Sequence, residues 1–343
     1  PLYWANTRVR PYIGRTHRCA LTFYTYPMAQ SPPTEARGET LAWVWVLVAL
    51  AAHTGWGANP VFLRYLQTVS HLPSMSLLAV GNTLVLVLLA LYVLPRLNLR
   101  AFRSPVLWLF PIIVVSRAIT HMLATRFTLA IYVQLITLMT PFVVALLSTI
   151  FLRERLPRYT GRAITFSLMG ALLMMSGDIG QEGLRLALTP SDWWGIGLAL
   201  ISTLSLATYM IVVRRTAQHQ VPVTAVLVVQ IGALVGVTGA LSLLLGEDWR
   251  RWRALGTTDW LVFAAFTLGV LVGANLGQIG ALRHLGAPLV SSLLGWRLVS
   301  ALIVAAILLG EQLTSFWQVM GALIVLVTIT WYLWQQRDRR TAA

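Results

Sequence analysis

The sequence predicts an all-α membrane protein with ten transmembrane helices, arranged as two inverted five-helix repeats. Hydrophobic residues make up 57% of the chain and charged residues 11%, whereas soluble domains average about 45–50% and about 25%. The apolar residues are gathered into ten runs, each long enough to cross about 30 Å of hydrocarbon as a helix. Part of the first half of the chain recurs in the second half, which is the third observation behind this fold class.

The ten apolar runs define the domain organisation, and most are separated by short loops. They span residues 41–63, 74–94, 106–125, 129–151, 160–177, 193–213, 223–245, 259–281, 287–309 and 316–334. The longest loop, 178–192, is acidic and divides the runs five and five. We therefore predict a disordered leader over 1–40, a five-span repeat over 41–177, a linker loop over 178–192, a second repeat over 193–334 and a cytoplasmic tail over 335–343.

The repeat is visible in the spacing of charged and aromatic residues. Arg126 and Glu154 are as far apart in sequence as Arg283 and Glu311. In the same way, the separation of Trp43 and Arg64 equals that of Trp194 and Arg215. A unit with an odd number of spans re-enters the membrane upside down when it is repeated, so the two halves are predicted to have inverted topology. Glu154 and Glu311 are interpreted as span-end residues that pair with neighbouring arginines or backbone amides.

The basic residues indicate orientation rather than a nucleic-acid partner. All 26 are arginine, giving a formal net charge of +15, and they lie mostly between the apolar runs. With the N-terminus inside, the larger share falls on the cytoplasmic side, which is the bias expected of inner-membrane proteins. We therefore predict a multi-pass protein of the cell inner membrane with both termini in the cytoplasm. The cluster Arg250, Arg251 and Arg253 is the main exception, because it falls on the opposite side.

Residues 1–27 differ from the rest of the chain. They begin with Pro, are rich in Arg and aromatic residues, and have neither a helical period nor the layout of a signal peptide. Met28 begins a stretch that is typical of a short cytoplasmic leader. We expect Met28 to be the biological start and residues 1–27 not to be native.

Several short motifs connect the chain with a known family. They are Trp56-Gly57 followed by the basic Arg64, Pro141 thirteen residues before Glu154, and the second-half run LLGEQL with Gly321 downstream of Glu311. Over residues 41–334 the chain resembles the drug/metabolite transporter superfamily, in particular its EamA-type members with ten spans. The resemblance implies transport of a small metabolite by alternating access, with a central cavity between the halves. The chain departs from the family pattern where Leu298 stands opposite Pro141.

The charged groups within the spans are positive or protonatable. Away from their ends the ten runs contain no Asp or Glu, but they include Arg117 and His121, Arg297, and His53. Charged side chains are costly in lipid and tend to face the interior of the helix bundle. Arg117 and His121 are four residues apart and share a helix face, where a guanidinium beside an imidazole suits a carboxylate or phosphate. We predict that they hold the negative group of a substrate.

Other roles stay open for these groups. Arg117 and Arg297 could instead cap the carbonyls of a neighbouring helix, and a hydrogen-bonded packing role is the first interpretation of His53. A proton relay through His53 or His121 is a further hypothesis, because imidazole titrates near neutral pH.

Uncharged polar residues extend the predicted substrate pathway. Gln134 and Thr137 share one side of the fourth run with Pro141, which removes a backbone hydrogen bond and is predicted to bend the helix. Helix-to-helix packing is the alternative role for Thr137. Further candidates for the cavity wall are Trp56, Asn59, Tyr209, Asn275, Gln278 and Trp296. The glycines of the seventh run (Gly232, Gly236, Gly239) and of the eighth (Gly269, Gly273, Gly277) are predicted to be points of close helix approach.

Together these features predict a secondary transporter for a small organic metabolite that bears a carboxylate or other negative charge, of amino-acid or organic-acid type. No enzyme activity, cofactor or metal is expected, and the chain is expected to act as a monomer or homodimer in the lipid bilayer. A multidrug or cation efflux transporter of the same fold is the alternative, but it would need a buried carboxylate. A membrane-embedded enzyme is less favoured, because the six histidines are scattered and form no acid–base or metal-ligand cluster.

Overall fold

The structure, a computed structural model, describes residues 35–93, 102–151, 156–157, 159–180, 183–186, 188–218 and 223–341. The predictions for residues 1–27, for Met28 and for Glu154 lie outside these residues. In the first half the helices are α1 (Glu35–Thr68), α2 (Ser74–Val93), α3 (Leu109–Phe127), α4 (Ala130–Thr137), α5 (Thr140–Phe151) and α6 (Thr160–Met174). A short 3-10 helix, Pro105–Trp108, leads into α3.

The second half is helical in the same manner. Its helices are α7 (Pro190–Gln218), α8 (Val223–Leu244), α9 (Thr257–Ala264), α10 (Asn275–Ser292), α11 (Trp296–Leu309) and α12 (Phe316–Thr341). A π-helix, Ala265–Ala274, joins α9 to α10, and 3-10 helices cover Trp249–Ala254 and Leu293–Gly295. The linker that we predicted as a loop contains a hairpin that was not predicted: β1 (Ser176–Gly180) pairs antiparallel with β2 (Gly183–Leu186).

Eight stretches of the described residues are long and apolar enough to cross a membrane. They are Trp43–Thr68, Pro105–Phe127, Ala130–Phe151, Pro190–Val213, Ala225–Leu244, Thr257–Leu282, Leu289–Leu309 and Phe316–Gln335. Two shorter apolar helices, Ser74–Ala90 and Thr160–Met174, lie where the second and fifth runs were predicted. The chain is therefore a helical, multi-pass membrane protein, as its composition predicts.

Several helix ends follow from local backbone chemistry. Pro73 cannot continue the turn that ends α1, and α2 begins immediately after it. Gly310 adopts the left-handed conformation (φ +67°) just after α11, and the next amide, of Glu311, donates to the Ala305 carbonyl at 3.2 Å. This is a glycine C-cap, and it turns the chain sharply where Glu311 lies.

Two of the spans are interrupted rather than straight. In the fourth span α4 ends at Thr137 and α5 begins at Thr140, so the break immediately precedes Pro141. In the ninth span the 3-10 segment Leu293–Gly295 interrupts the helix without a proline. Gly295 passes close to α12 there, because a Cβ on it would lie 3.2 Å from the Thr330 hydroxyl. Close packing at a glycine thus accompanies a break where the family pattern would have a proline.

The helix α10 continues across the loop that was predicted between the eighth and ninth runs. The His284 ring stacks on Trp45 of α1, with ring centroids 3.7 Å apart. Nearby, Leu285 packs against a buried cluster that includes Ala49 and Val290. This segment therefore packs against α1 on one side, and the helix supplies its backbone hydrogen bonds.

The helices pack in a few extensive pairs. Helix α1 packs against α11, α10 and the π-helix, while α3 packs against α7, α2 against α8, and α6 against α12. Close approach depends on Gly57, where a Cβ would meet the Arg297 carbonyl at 2.4 Å, and on Gly170 and Gly321, whose backbones touch between α6 and α12.

The close approach predicted at the glycines of the seventh and eighth runs is found at only some of them. A Cβ on Gly232, Gly236 or Gly269 would meet no described atom within 4 Å. Gly277 is the best supported of the six, with Ala52 at 3.3 Å. Regular spacing of glycines did not identify the contact face, because neighbouring faces of an apolar helix look alike in sequence.

Candidate functional site

Helix α1 presents three polar side chains at intervals of three residues: His53, Trp56 and Asn59. His53 is almost fully buried and Asn59 is buried, while Trp56 is half-buried. Pro60 follows within the same helix. Since proline has no N–H, the Trp56 carbonyl lacks its usual partner four residues along the helix. A polar face and a missing helix hydrogen bond thus lie in the middle of a membrane span.

Arg297 lies in the first turn of α11, and its partners among the described residues are neutral. Its Nε donates to His53 Nδ1 at 2.9 Å and an Nη donates to Gln278 Oε1 at 3.2 Å. Its guanidinium carbon also lies 5.6 Å from the centre of the Trp56 ring, within cation–π range. These contacts fix the plane of the guanidinium but supply no negative charge.

The hydrogen bonds of His53 define its tautomer. Its Nδ1 accepts from Arg297, and its Nε2 lies 3.0 Å from the Val290 carbonyl oxygen. An imidazole that accepts at Nδ1 carries its proton on Nε2, from which it donates to the carbonyl. His53 is therefore neutral in this arrangement and connects α1, α10 and α11.

Arg117 and His121 lie four residues apart on α3, and His121 faces α1. The Asn59 amide lies 3.3 Å from His121 Nε2. The Arg117 backbone carbonyl accepts from the Ser202 hydroxyl of α7 at 3.2 Å. Among the described residues, the Arg117 guanidinium makes no hydrogen bond and no ion pair. It lies close enough to His121 and Arg297 for their charges to interact.

The described carboxylates lie away from this cluster and are occupied elsewhere. Asp192 accepts from the Thr128 hydroxyl at 2.6 Å, and Asp259 accepts from the Ser70 hydroxyl at 2.7 Å. Glu247 accepts from the amides of α2, and Glu311 pairs with Arg64 at 2.7 Å. Within the described part of the chain, two arginines therefore converge with no carboxylate beside them.

A further donor at this place has no acceptor. Trp56 Nε1 is buried and makes no hydrogen bond to any described residue. Buried donors normally have partners, so the Trp56 N–H leaves room for a hydrogen-bond acceptor close to Arg297.

The remaining predicted residues are distributed around this cluster. Gln134 is buried in α4, and the Thr137 hydroxyl bonds to the Val133 carbonyl of its own helix at 2.8 Å. The Tyr209 hydroxyl donates to Gln230 at 3.2 Å, and its ring meets Phe110 edge-on. Asn275 is exposed and bonds to the Leu271 carbonyl of the π-helix at 2.7 Å. Trp296 donates from Nε1 to the Thr54 hydroxyl at 2.9 Å, which joins α11 to α1.

Some polar partners of the site were not predicted. Thr54, Gln230 and Ser202 each hold a predicted residue in place. A hydroxyl or amide in an apolar run is common, and its sequence position gives no sign of which helix it faces. The Arg64–Glu311 pair was missed for the same reason: our prediction for Glu311 considered neighbouring arginines and backbone amides, whereas its partner arginine comes from α1.

Comparisons with known proteins agree with this architecture. Residues 43–176 match the EamA-like transporter family. A solved structure described only as "Crystal structure of protein" aligns over 88% of this chain and 99% of its own, with 17% identity and a TM-score of 0.57, which establishes a shared fold. No curated protein matches the sequence. The match over residues 43–176 makes this part of the chain similar to the EamA-like transporter family, which belongs to the drug/metabolite transporter superfamily.

Proposed function

We propose that the chain is a secondary transporter of a small organic solute bearing a carboxylate or similar negative group. The observation that carries this proposal is the Arg117 guanidinium, which has no hydrogen-bond or ion-pair partner among the described residues. Arg297 has only neutral partners, and the Trp56 N–H has none among the described residues. A cation within a membrane span and without a counter-ion is costly, so a ligand that brings the negative charge would remove that cost.

We also propose ten spans in two inverted halves. The most extensive helix contacts support this, because exchanging each first-half span for its second-half equivalent reproduces them. The contacts of α1 with α11 and α10 correspond to those of α7 with α5 and α3, while α2–α8 and α6–α12 map onto themselves. Gly170 and Gly321, which touch between α6 and α12, have the same separation in sequence as Trp43 and Trp194.

In this proposal α1 is the helix against which the substrate is held. Its His53 bonds to Arg297 of α11, and its Asn59 bonds to His121 of α3. The substrate's negative group would accept hydrogen bonds from Arg117, from the remaining donors of Arg297 and from Trp56. The breaks at 138–139 and 293–295 would let α4–α5 and α10–α11 bend during alternating access. The protein would lie in the cell inner membrane, with both termini in the cytoplasm.

A ligand screen on the purified protein tests the proposal. Thermal stability would be measured with alanine, glutamate, succinate, adenosine monophosphate and the cationic dye ethidium, for the unmodified chain, Arg117→Ala and Arg126→Ala. Arg126 is the matched control, because it is an exposed arginine on the same helix. We expect at least one anion to raise the midpoint of thermal unfolding in the unmodified chain and in Arg126→Ala, but not in Arg117→Ala.

Two outcomes would overturn the proposal. Stabilisation by ethidium alone, unchanged in Arg117→Ala, would favour the cation-efflux alternative. Stabilisation by an anion that persists in full in Arg117→Ala would remove Arg117 from the site.

A further inference from the structure

We propose that an anionic phospholipid binds at the α8–α9 connection, with its phosphate on Arg250 and Arg253 and an acyl chain in the groove between α2 and α8. The groove has a volume of about 430 Å³ and is lined by Ala79, Val80, Thr83, Val235, Gly239, Leu243 and Trp249. This volume falls within the range of about 300–1,000 Å³ that is typical of small-molecule sites. The lining is almost entirely apolar.

The groove lies within the membrane-spanning part of the bundle. Its floor is formed by small residues, because a Cβ on Gly239 would be 4.0 Å from Ala79. Its wall at the end of α8 is Leu243, which is 72% exposed. An apolar furrow of this kind on a membrane protein is covered by hydrocarbon, so lipid is the occupant that its chemistry fits.

The connection between α8 and α9 holds its arginines on a fixed support. Glu247 accepts hydrogen bonds from the Met75 and Ser76 amides at 2.9 and 2.7 Å, at the first turn of α2. Trp252 donates to the Ser76 hydroxyl at 3.1 Å and packs edge-on against Phe263. The loop is therefore anchored to α2, which is also one wall of the groove.

Two of the three arginines on this loop have no counter-ion in the part of the chain that the structure describes. Arg251 pairs with Asp248 at 3.7 Å. Arg250 and Arg253 are exposed, and neither guanidinium pairs with a carboxylate among the described residues. Arginine binds a phosphate through two parallel hydrogen bonds.

Trp249 connects the arginines with the groove. It lines the groove and immediately precedes Arg250 on the 3-10 helix. Tryptophan is enriched at the boundary between headgroups and hydrocarbon, where its ring lies beside acyl chains and its N–H reaches polar groups. The apolar groove is followed by Trp249 and then by Arg250 and Arg253. In a phospholipid the acyl chain, the interfacial region and the phosphate follow one another in the same order. This site also gives a role to the arginines that depart from the orientation bias.

Native mass spectrometry of the full chain tests the proposal. The purified protein would be titrated with phosphatidylglycerol or phosphatidylcholine of identical acyl chains. We expect phosphatidylglycerol to bind about 25-fold more tightly than phosphatidylcholine, since each of the two arginines contributes about fivefold to the affinity for an anionic lipid. The preference should disappear in the double variant Arg250→Gln/Arg253→Gln and persist in the control Arg126→Gln.

The groove is tested separately from the arginines. Gly239→Leu would fill the groove and should weaken the binding of both lipids. In the unmodified chain, long-chain phosphatidylglycerol should bind more tightly than its dihexanoyl form, and glycerol 3-phosphate should not compete. Equal affinity for the two headgroups, a preference retained in the double variant, or full competition by glycerol 3-phosphate would each overturn the proposal.

Discussion

Gly57 is the residue at which the packing of α1 against α11 tolerates least change. A Cβ there would lie 2.1 Å from the Ser300 hydroxyl and 2.4 Å from the Arg297 carbonyl. The carbonyl belongs to the backbone, so it cannot move without shifting α11. The same shift would displace the Arg297 side chain, which couples packing at this glycine to the geometry of the candidate site.

Gly57→Ala is therefore expected to destabilise the protein by about 1–3 kcal/mol, the usual cost of overpacking. The measurement is the midpoint of thermal unfolding in detergent. Gly232→Ala is the matched control: it adds the same methyl group within a membrane span where no described atom lies within 4 Å. An equal loss of stability in both variants would contradict the close approach at Gly57.

Arg297 illustrates a role that requires arginine and not only a positive charge. Its donors reach His53 and Gln278 while its plane lies over Trp56. Arg297→Lys keeps the charge but loses the planar fork, so we expect about 1.5–3 kcal/mol of destabilisation. Arg162→Lys is the control, since Arg162 also lies over an aromatic ring, Tyr159, but is exposed. Equal stabilities of Arg297→Lys and Arg162→Lys would contradict this role.

At the scale of elements, the Arg64–Glu311 pair connects the end of α1 with the chain that follows α11. The Arg64 Nε lies 2.7 Å from Glu311, and its guanidinium also donates to the Thr125 and Thr128 carbonyls before α4. The second oxygen of Glu311 is buried with no described partner. The pair therefore joins three spans at one end of the bundle.

Removing Arg64 should be costly because it leaves a buried carboxylate unpaired. We expect Arg64→Ala to lose about 3–5 kcal/mol of unfolding free energy. Arg251→Ala breaks the exposed pair with Asp248 and should lose no more than about 1 kcal/mol. Comparable losses in the two variants, measured by thermal unfolding at neutral pH, would refute the buried character of the first pair.

The loss of stability in Arg64→Ala should also depend on pH. Burial raises the pKa of the Glu311 carboxyl, and Arg64 acts in the opposite direction. Without Arg64 the pKa rises further, and a folded-state pKa above the unfolded value gives stability that is lost as pH rises through it. The stability of Arg64→Ala should therefore be closest to that of the unmodified protein at acidic pH and furthest below it at neutral pH. A difference between the two that does not change with pH would contradict this assignment.

At the scale of the whole molecule, the topology can be tested by cysteine labelling in a Cys19→Ser background, since Cys19 is the only cysteine in the sequence. Single cysteines would replace the exposed residues Arg103, Ser191 and Thr257. With ten spans and a cytoplasmic N-terminus, an impermeant maleimide applied to intact cells should label the cysteines at 191 and 257. The cysteine at 103 should be labelled only after permeabilisation. Labelling of all three in intact cells would exclude this topology.

From the sequence alone we could predict a helical membrane protein and the positions of most of its spans. Lipid cannot hydrogen-bond a backbone, so long apolar runs must become helices whatever their neighbours are. The sequence also drew attention to Arg117, His121 and Arg297, because a charge inside an apolar run is conspicuous. It did not predict the hairpin at 176–186, the break at Leu293–Gly295 or the faces on which glycines touch.

Only the tertiary structure decided which of these groups meet. It joined Arg297 to His53 and Gln278, left Arg117 without a hydrogen-bond or ion-pair partner among the described residues, and paired Glu311 with Arg64. These contacts connect residues far apart in the chain, on helices that are apolar on most faces. Because nearly every face of such a helix can be buried, the sequence pattern does not specify the rotation of one helix against another. The contacts of the candidate site depend on that rotation.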